Sequence, residues 1–250
     1  MKGFVGVVLV VIGAIVLGLL LLSGLRFGIP SGQPSSLPFL PTAIPAQAIS
    51  KEEYWEYFSA ITFHKAGNKD SSAPLERWTK SPVTIELTGE INDEVIANLD
   101  SIIEAFNVIS KTVKLERIEH LGDLIIHFVS RDEMLAKRGR GEEQILGWAH
   151  INTDSSCTIG SADIYLQNQV KDRDYALHSS LVHELSHALG FEGHDYGKRG
   201  CNALTSIACA PLLTYTPYDT FAIKVLYNSG IPLCSSETEA KIYLDLHWPQ

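Results

Sequence analysis

Charge is scarce at the start of this 250-residue chain: before Lys51 the only charged side chains are Lys2 and Arg26. A basic surplus is absent too, because the net charge is -9 and the pI is near 5.4. That excludes an electrostatic grip on nucleic acid, whose phosphates demand a basic surface. Cysteine is sparse, with Cys157, Cys201, Cys209 and Cys234 all in the second half and no Cys-x-x-Cys pair. A zinc site built from cysteines is therefore not expected. No internal repeat is visible. What is plentiful is apolar residues, 45% against 20% charged, enough to build a core and to exclude a wholly disordered chain.

Residues 3–25 carry no charge at all. At a rise of about 1.5 Å per residue, roughly 20 helical residues cross the hydrocarbon core of a bilayer. A cleaved signal peptide is the competing reading, but its apolar stretch runs only about 7–15 residues. The Ala46-Gln47-Ala48 step lies far from the apolar run. Residues 1–26 are thus expected to be an uncleaved membrane anchor, with the C-terminal part of the chain outside the cytoplasm. Residues 27–50 contain Pro30, Pro34, Pro38, Pro41 and Pro45 and no charged side chain, which makes a stiff extended spacer. Its other reading, a ligand for proline-recognising domains, lacks a basic flank. The globular domain is expected over residues 51–250. Behind a membrane anchor, four cysteines suit two disulfides with three possible connectivities, and four buried thiols are the alternative.

Within that domain Ser50-Lys51-Glu52-Glu53 is a capping box opening a helix to about Lys65. A polar loop follows, then a strand over Val83–Thr88. Asn92 caps a long helix whose Val95, Ile96, Leu99, Ile102, Ile103, Phe106 and Ile109 keep the 3.6-residue period. Strands are expected near Thr112–Ile118 and Leu124–Val129, and a short helix opens at the capping box Ser130–Glu133. Further strands lie near Leu146–Asn152 and Ala162–Gln167. A helix spans about Asp174–Leu189, and the last clear one starts at Thr216 with Pro217 at its first position. This order describes an α+β domain, a mixed sheet with helices packed on it.

The chemistry sits in His183-Glu184-Leu185-Ser186-His187. On a helix, residues i and i+4 share a face, so His183 and His187 can converge on one metal ion. Zinc favours imidazole nitrogen, and catalytic sites use three protein ligands and an open position. Glu184 is the expected general base. Leu177, Leu181, Leu185, Ala188 and Leu189 form the opposite, core-facing stripe. Gly190 permits the turn that ends the helix. His194 is the favoured third ligand, with Asp195 and Glu192 as competitors.

The stretch His183–His194 resembles the metzincin zinc metalloproteases, whose pattern is His-Glu-x-x-His-x-x-Gly-x-x-His. His183, Glu184, His187 and Gly190 match in place, and His194 comes one residue late. Gly147-Trp148-Ala149-His150 falls where the matrixin-like members carry the antiparallel edge strand that pairs with substrate, and Tyr215–Tyr227 is similar to their C-terminal helix. The resemblance covers roughly residues 80–228. It implies a zincin-like twisted mixed sheet with two main helices and a C-terminal helix, a bound Zn²⁺, a peptide or protein substrate, and substrate contact at Gly147, Trp148, Ala149 and His150. One departure is the clan's Met-turn methionine: only Met1 and Met134 exist here, and Ala203–Leu213 occupies that place, with Ser206-Ile207 as the nearest echo. The chain also resembles an uncharacterised exported family through Trp78-x-x-x-Pro82-Val83, Cys157 before Ala162-x-Ile164, and Thr216-Pro217-Tyr218-Asp219. Many of its members lack one metal-binding His, whereas both are present here.

Other polar residues have milder expectations. Tyr215 or Tyr218 is a conceivable oxyanion donor, though core or capping use suits each better. His150 reads as a partly buried strand histidine, and His64, His120, His127, His178 and His247 as structural. The sequence thus points to a membrane-anchored zinc endopeptidase outside the cytoplasm. The alternative is a non-catalytic module of the same fold that offers its edge strand to a protein or cell-envelope partner.

Overall fold

Val83–Gly89 and residues 162–167 alternate apolar with polar residues, while Leu124–Val129 is apolar almost throughout; in all three the period of two sends alternate side chains to opposite sheet faces. A computed structural model describes residues 49–65, 68–138, 146–168, 174–196, 199–204 and 214–248. The chain divides into two units, Met1–Gln47 and Ala48–Gln250, and all described residues belong to the second. The expected anchor and most of the spacer therefore lie outside the described residues. Among the described residues, no helix is long and apolar enough to cross a membrane.

In chain order the elements are α1 (Lys51–Thr62), β1 (His64–Lys65), β2 (Asn68–Ser72), β3 (Val83–Gly89), α2 (Asp93–Ile109), β4 (Leu115–Ile118), β5 (Leu124–Val129), α3 (Arg131–Arg138), β6 (Gly147–Thr153), β7 (Ile159–Gln167), α4 (Asp174–Ala188), α5 (Pro217–Asn228) and α6 (Glu237–Leu246). The main sheet has the order β4-β3-β5-β7-β6. β4, β3, β5 and β7 run parallel, and β6 closes one edge antiparallel to β7. The expected mixed sheet with an antiparallel edge is what forms.

Val83, Ile85, Leu124, Ile126, Phe128, Ala162, Ile164 and Leu166 are among the buried sheet residues. They share one core with Val95, Leu99, Ile102 and Phe106 of α2, with Leu181, Leu185 and Leu189 of the α4 region, and with α5. Burying each large apolar side chain contributes about 1.5–3 kcal/mol, so the stripe on α4 fixes that helix against the sheet.

Several expectations need correction. The first helix ends at Thr62, not Lys65, and the chain turns at Phe63 into β1, which pairs with β2. The polar segment read as a loop thus contains a small antiparallel ribbon. The strand expected from Thr112 begins at Leu115, because Ser110 and Thr112 are spent on turn contacts: Ser110 Oγ donates to Val113 O and Thr112 Oγ1 to Tyr227 O. A further helix, α6, follows the one expected to be last. It opens at a capping box, Ser236 with Glu239. Cys157 and Cys234 are joined in a disulfide, and Cys201 is disulfide-bonded too, so the thiol alternative is set aside.

Candidate metal centre

α4 ends in a Schellman motif. Gly190, at φ 101°, donates its N–H to His187 O at 2.9 Å, and Phe191 N–H reaches Ser186 O at 3.3 Å. Two side chains satisfy the neighbouring carbonyls: Trp78 Nε1 donates to Ala188 O at 2.8 Å and Tyr227 OH to Leu189 O at 2.7 Å. The helix end is thereby fixed, and the turn sends the chain back towards His183 and His187.

His183 and His187 lie one turn apart with their Nε2 atoms 3.2 Å from each other. His194 Nε2 comes to 3.0 Å from that of His183 and 3.2 Å from that of His187. These atoms cannot all hydrogen-bond to one another, because each ring's remaining proton is engaged elsewhere for at least two of them. His183 Nδ1 faces Ala203 O at 2.9 Å and His187 Nδ1 faces Phe191 O at 2.5 Å. A carbonyl only accepts, so Nδ1 carries the proton and Nε2 presents its lone pair. Burial, with His194 adding to it, pushes the His183 pKa down to about 4. Burial drives His187 well below its ordinary value and lowers His194 as well. All three are neutral at pH 7, the form that ligates metal.

The triangle fits zinc. With Zn–N bonds of about 2.05 Å, edges of this size correspond to N–Zn–N angles of roughly 95–105°, close to tetrahedral with one corner open. Among the described residues these three are the group whose ligand atoms converge. The competitors are engaged elsewhere. Asp195 accepts from Arg199 Nη1 at 2.8 Å, and Glu192 lies 3.7 Å from Lys65 and beside Glu76.

Glu184 is buried and lies against β6. A Cβ built on Gly147 would sit 2.6 Å from Glu184 Cγ and 2.8 Å from Oε1. The four expected substrate residues divide between the two faces of the edge strand. Gly147 is on the α4 side, whereas the Trp148 ring stacks on Tyr165 at 5.3 Å, which puts Trp148 and His150 on the other side. His150 is exposed rather than partly buried. Of the two tyrosines, Tyr218 packs on Tyr54 and Tyr57, and Tyr215 is buried with its hydroxyl unpartnered. Of the segment expected in place of the Met-turn, residues 205–213 lie outside the described residues. Met134 is buried on α3.

The supports behind the histidines carry no signal in the sequence. Ala203, whose carbonyl holds His183, donates its own N–H to the Asp219 carboxylate at 3.1 Å. Asp219 also accepts from Thr216 and from Tyr57 OH. In the sequence Asp219 stands only in the Thr216-Pro217-Tyr218-Asp219 helix start.

A mixed sheet with an antiparallel edge, beneath a helix bearing two histidines and an adjacent glutamate, defines a metzincin-like domain. The matrixin model (peptidase family M10) matches residues 77–227, well over half of the sequence, and the chain belongs to the matrixin family. The family supports a metallopeptidase hydrolase, and its members bind zinc. No curated protein gives a significant match. Among solved structures ninety chains match, one of them a structure of myroilysin at 11% identity, covering 61% of this chain and 82% of that one with a TM-score of 0.37. That likeness is too remote to bear on activity.

Proposed function

We propose that this protein is a zinc-dependent endopeptidase, anchored in a membrane through residues 3–25 and working outside the cytoplasm. The observation that carries the catalytic part is the triangle of three Nε2 lone pairs at 3.0–3.2 Å. Zinc held by His183, His187 and His194 would polarise the scissile carbonyl and acidify a water in the open position. Glu184 accepts the proton of the attacking water and returns it to the leaving amine. β6 is the terminal strand of its sheet, so an extended peptide pairs along it and its backbone is aligned beside Glu184. Absence of a side chain at Gly147 keeps that strand close to the base.

The location rests on the uncharged run of residues 3–25 and on the disulfide Cys157–Cys234, which suits an oxidising compartment. Fractionation of cells that make the full chain and a version lacking residues 1–26 tests it; equal solubility of both would end the anchor reading.

The catalytic reading is tested by Glu184→Gln in the full-length protein. Peptide cleavage should fall about 10²–10⁴-fold while zinc content stays at one per chain. Full chelator-sensitive cleavage by the variant would overturn the assignment. Zinc bound without any cleavage by the wild type would instead favour the non-catalytic module.

A further inference from the structure

The third ligand comes one residue later than the metzincin spacing, and the added length is taken up by an element outside the matched region. Between Gly190 and His194 run Phe191, Glu192 and Gly193. Phe191 is tied to α4 through Ser186 O and His187 Nδ1. Glu192 departs towards Lys65 and Glu76. Gly193 donates its N–H to Ile61 O at 2.8 Å, and a Cβ built there would overlap the carbonyl oxygens of Ala60 and His64. Those oxygens are backbone, from the last turn of α1 and the first residue of β1, and cannot swing aside as a flexible side chain would.

His194 leaves from that clamp. Beyond it Asp195 N–H bonds Leu204 O at 2.8 Å, and Arg199 joins Asp195 to Glu56 of α1. The same helix reaches the support of His183, because Tyr57 OH donates to the carboxylate of Asp219 that holds Ala203. α1 thus touches the supports of two ligands although it precedes residue 77.

We propose that α1 is a working part of the metal centre: its C-terminal carbonyls, received by Gly193, and its Tyr57 hydroxyl hold His194 and the His183 support in ligating geometry. Gly193 and Tyr57 are then positioning residues for the metal. Three lone pairs held 3.0–3.2 Å apart repel one another before metal arrives, so the frame must restrain them from outside. This inference rests on the triad being a metal site.

The test compares full-length wild type, Gly193→Ala and Tyr57→Phe. Zn²⁺ affinity is read by chelator competition, coordination by the visible absorption of the Co²⁺ form, and folding by the metal-free Tm. Zinc affinity should fall about 10–100-fold in Gly193→Ala and about tenfold in Tyr57→Phe, with a changed Co²⁺ spectrum. Tyr57→Phe, nearly isosteric, decides the matter if Gly193→Ala fails to fold. Wild-type affinity and spectrum in Tyr57→Phe, or a lowered Tm with unchanged metal binding, would overturn the proposal. A wild-type protein that binds neither ion removes the metal-site reading itself, and this one with it.

Discussion

Glu184 and Gly147 are packed so closely that the carboxylate occupies the space a side chain at position 147 would need, with Oε1 only 2.8 Å from a built Cβ. The proposed base therefore takes its position from the edge strand as well as from its own helix. Gly147→Ala should displace Glu184 without touching a ligand. A misplacement near 1 Å costs about 10²-fold in rate, so kcat should fall by up to that factor while zinc affinity is retained. Unchanged kcat in steady-state assays would show that Glu184 is positioned some other way.

Acidification should destabilise the metal-free protein. His183 has a folded-state pKa of about 4, lowered by burial, and the other two are lowered in the same direction. Unfolded histidine titrates near 6.5, so below that pH the unfolded chain takes up protons first. Stability is complete above about pH 6.5 and is lost as the pH falls towards 4, by up to about 3 kcal/mol from His183 alone. Denaturant midpoints of the metal-free chain between pH 8 and 4 should trace this; a flat profile would mean the histidines are not held neutral.

Removing zinc should lower Tm. Metal that binds only the folded state at a thousand times its Kd contributes about 4 kcal/mol. Thermal melts with and without chelator should differ in wild type and coincide in His194→Ala.

Loss of the Cys157–Cys234 disulfide should be felt across the domain. It closes 77 residues of chain and joins the β6–β7 turn to the segment before α6. Replacing both cysteines by Ser should cost about 2–4 kcal/mol, measured by denaturant unfolding against wild type.

The convergence of His183 and His187 was legible because they lie four residues apart on one helix, where spacing alone dictates a shared face. Gly190 was legible as a stop for the same local reason. α6 was missed although Ser236 and Glu239 announce it, because only Ala240 and Leu244 are buried on it and its apolar period is faint. β2 was hidden by its polar residues, Asn68–Ser72, which carry no alternation. The link from Tyr57 to Asp219 spans 162 residues, and no periodicity can reveal a partner at that distance. Gly193 carries no signal of its own in the sequence, because its need for a missing side chain comes from the distant carbonyls of Ala60 and His64.

Trp78 lies one residue inside the start of the matched stretch and Tyr227 is its last residue, yet they hydrogen-bond consecutive carbonyls, Ala188 and Leu189 respectively, at the foot of α4. The two ends of the matched stretch meet under the helix that bears His183 and His187, like the two ends of a belt at one buckle. A fragment that began after Trp78 or stopped before Tyr227 would leave one of those carbonyls without its partner. The minimal unit able to keep this helix end intact is therefore defined by those two aromatic side chains.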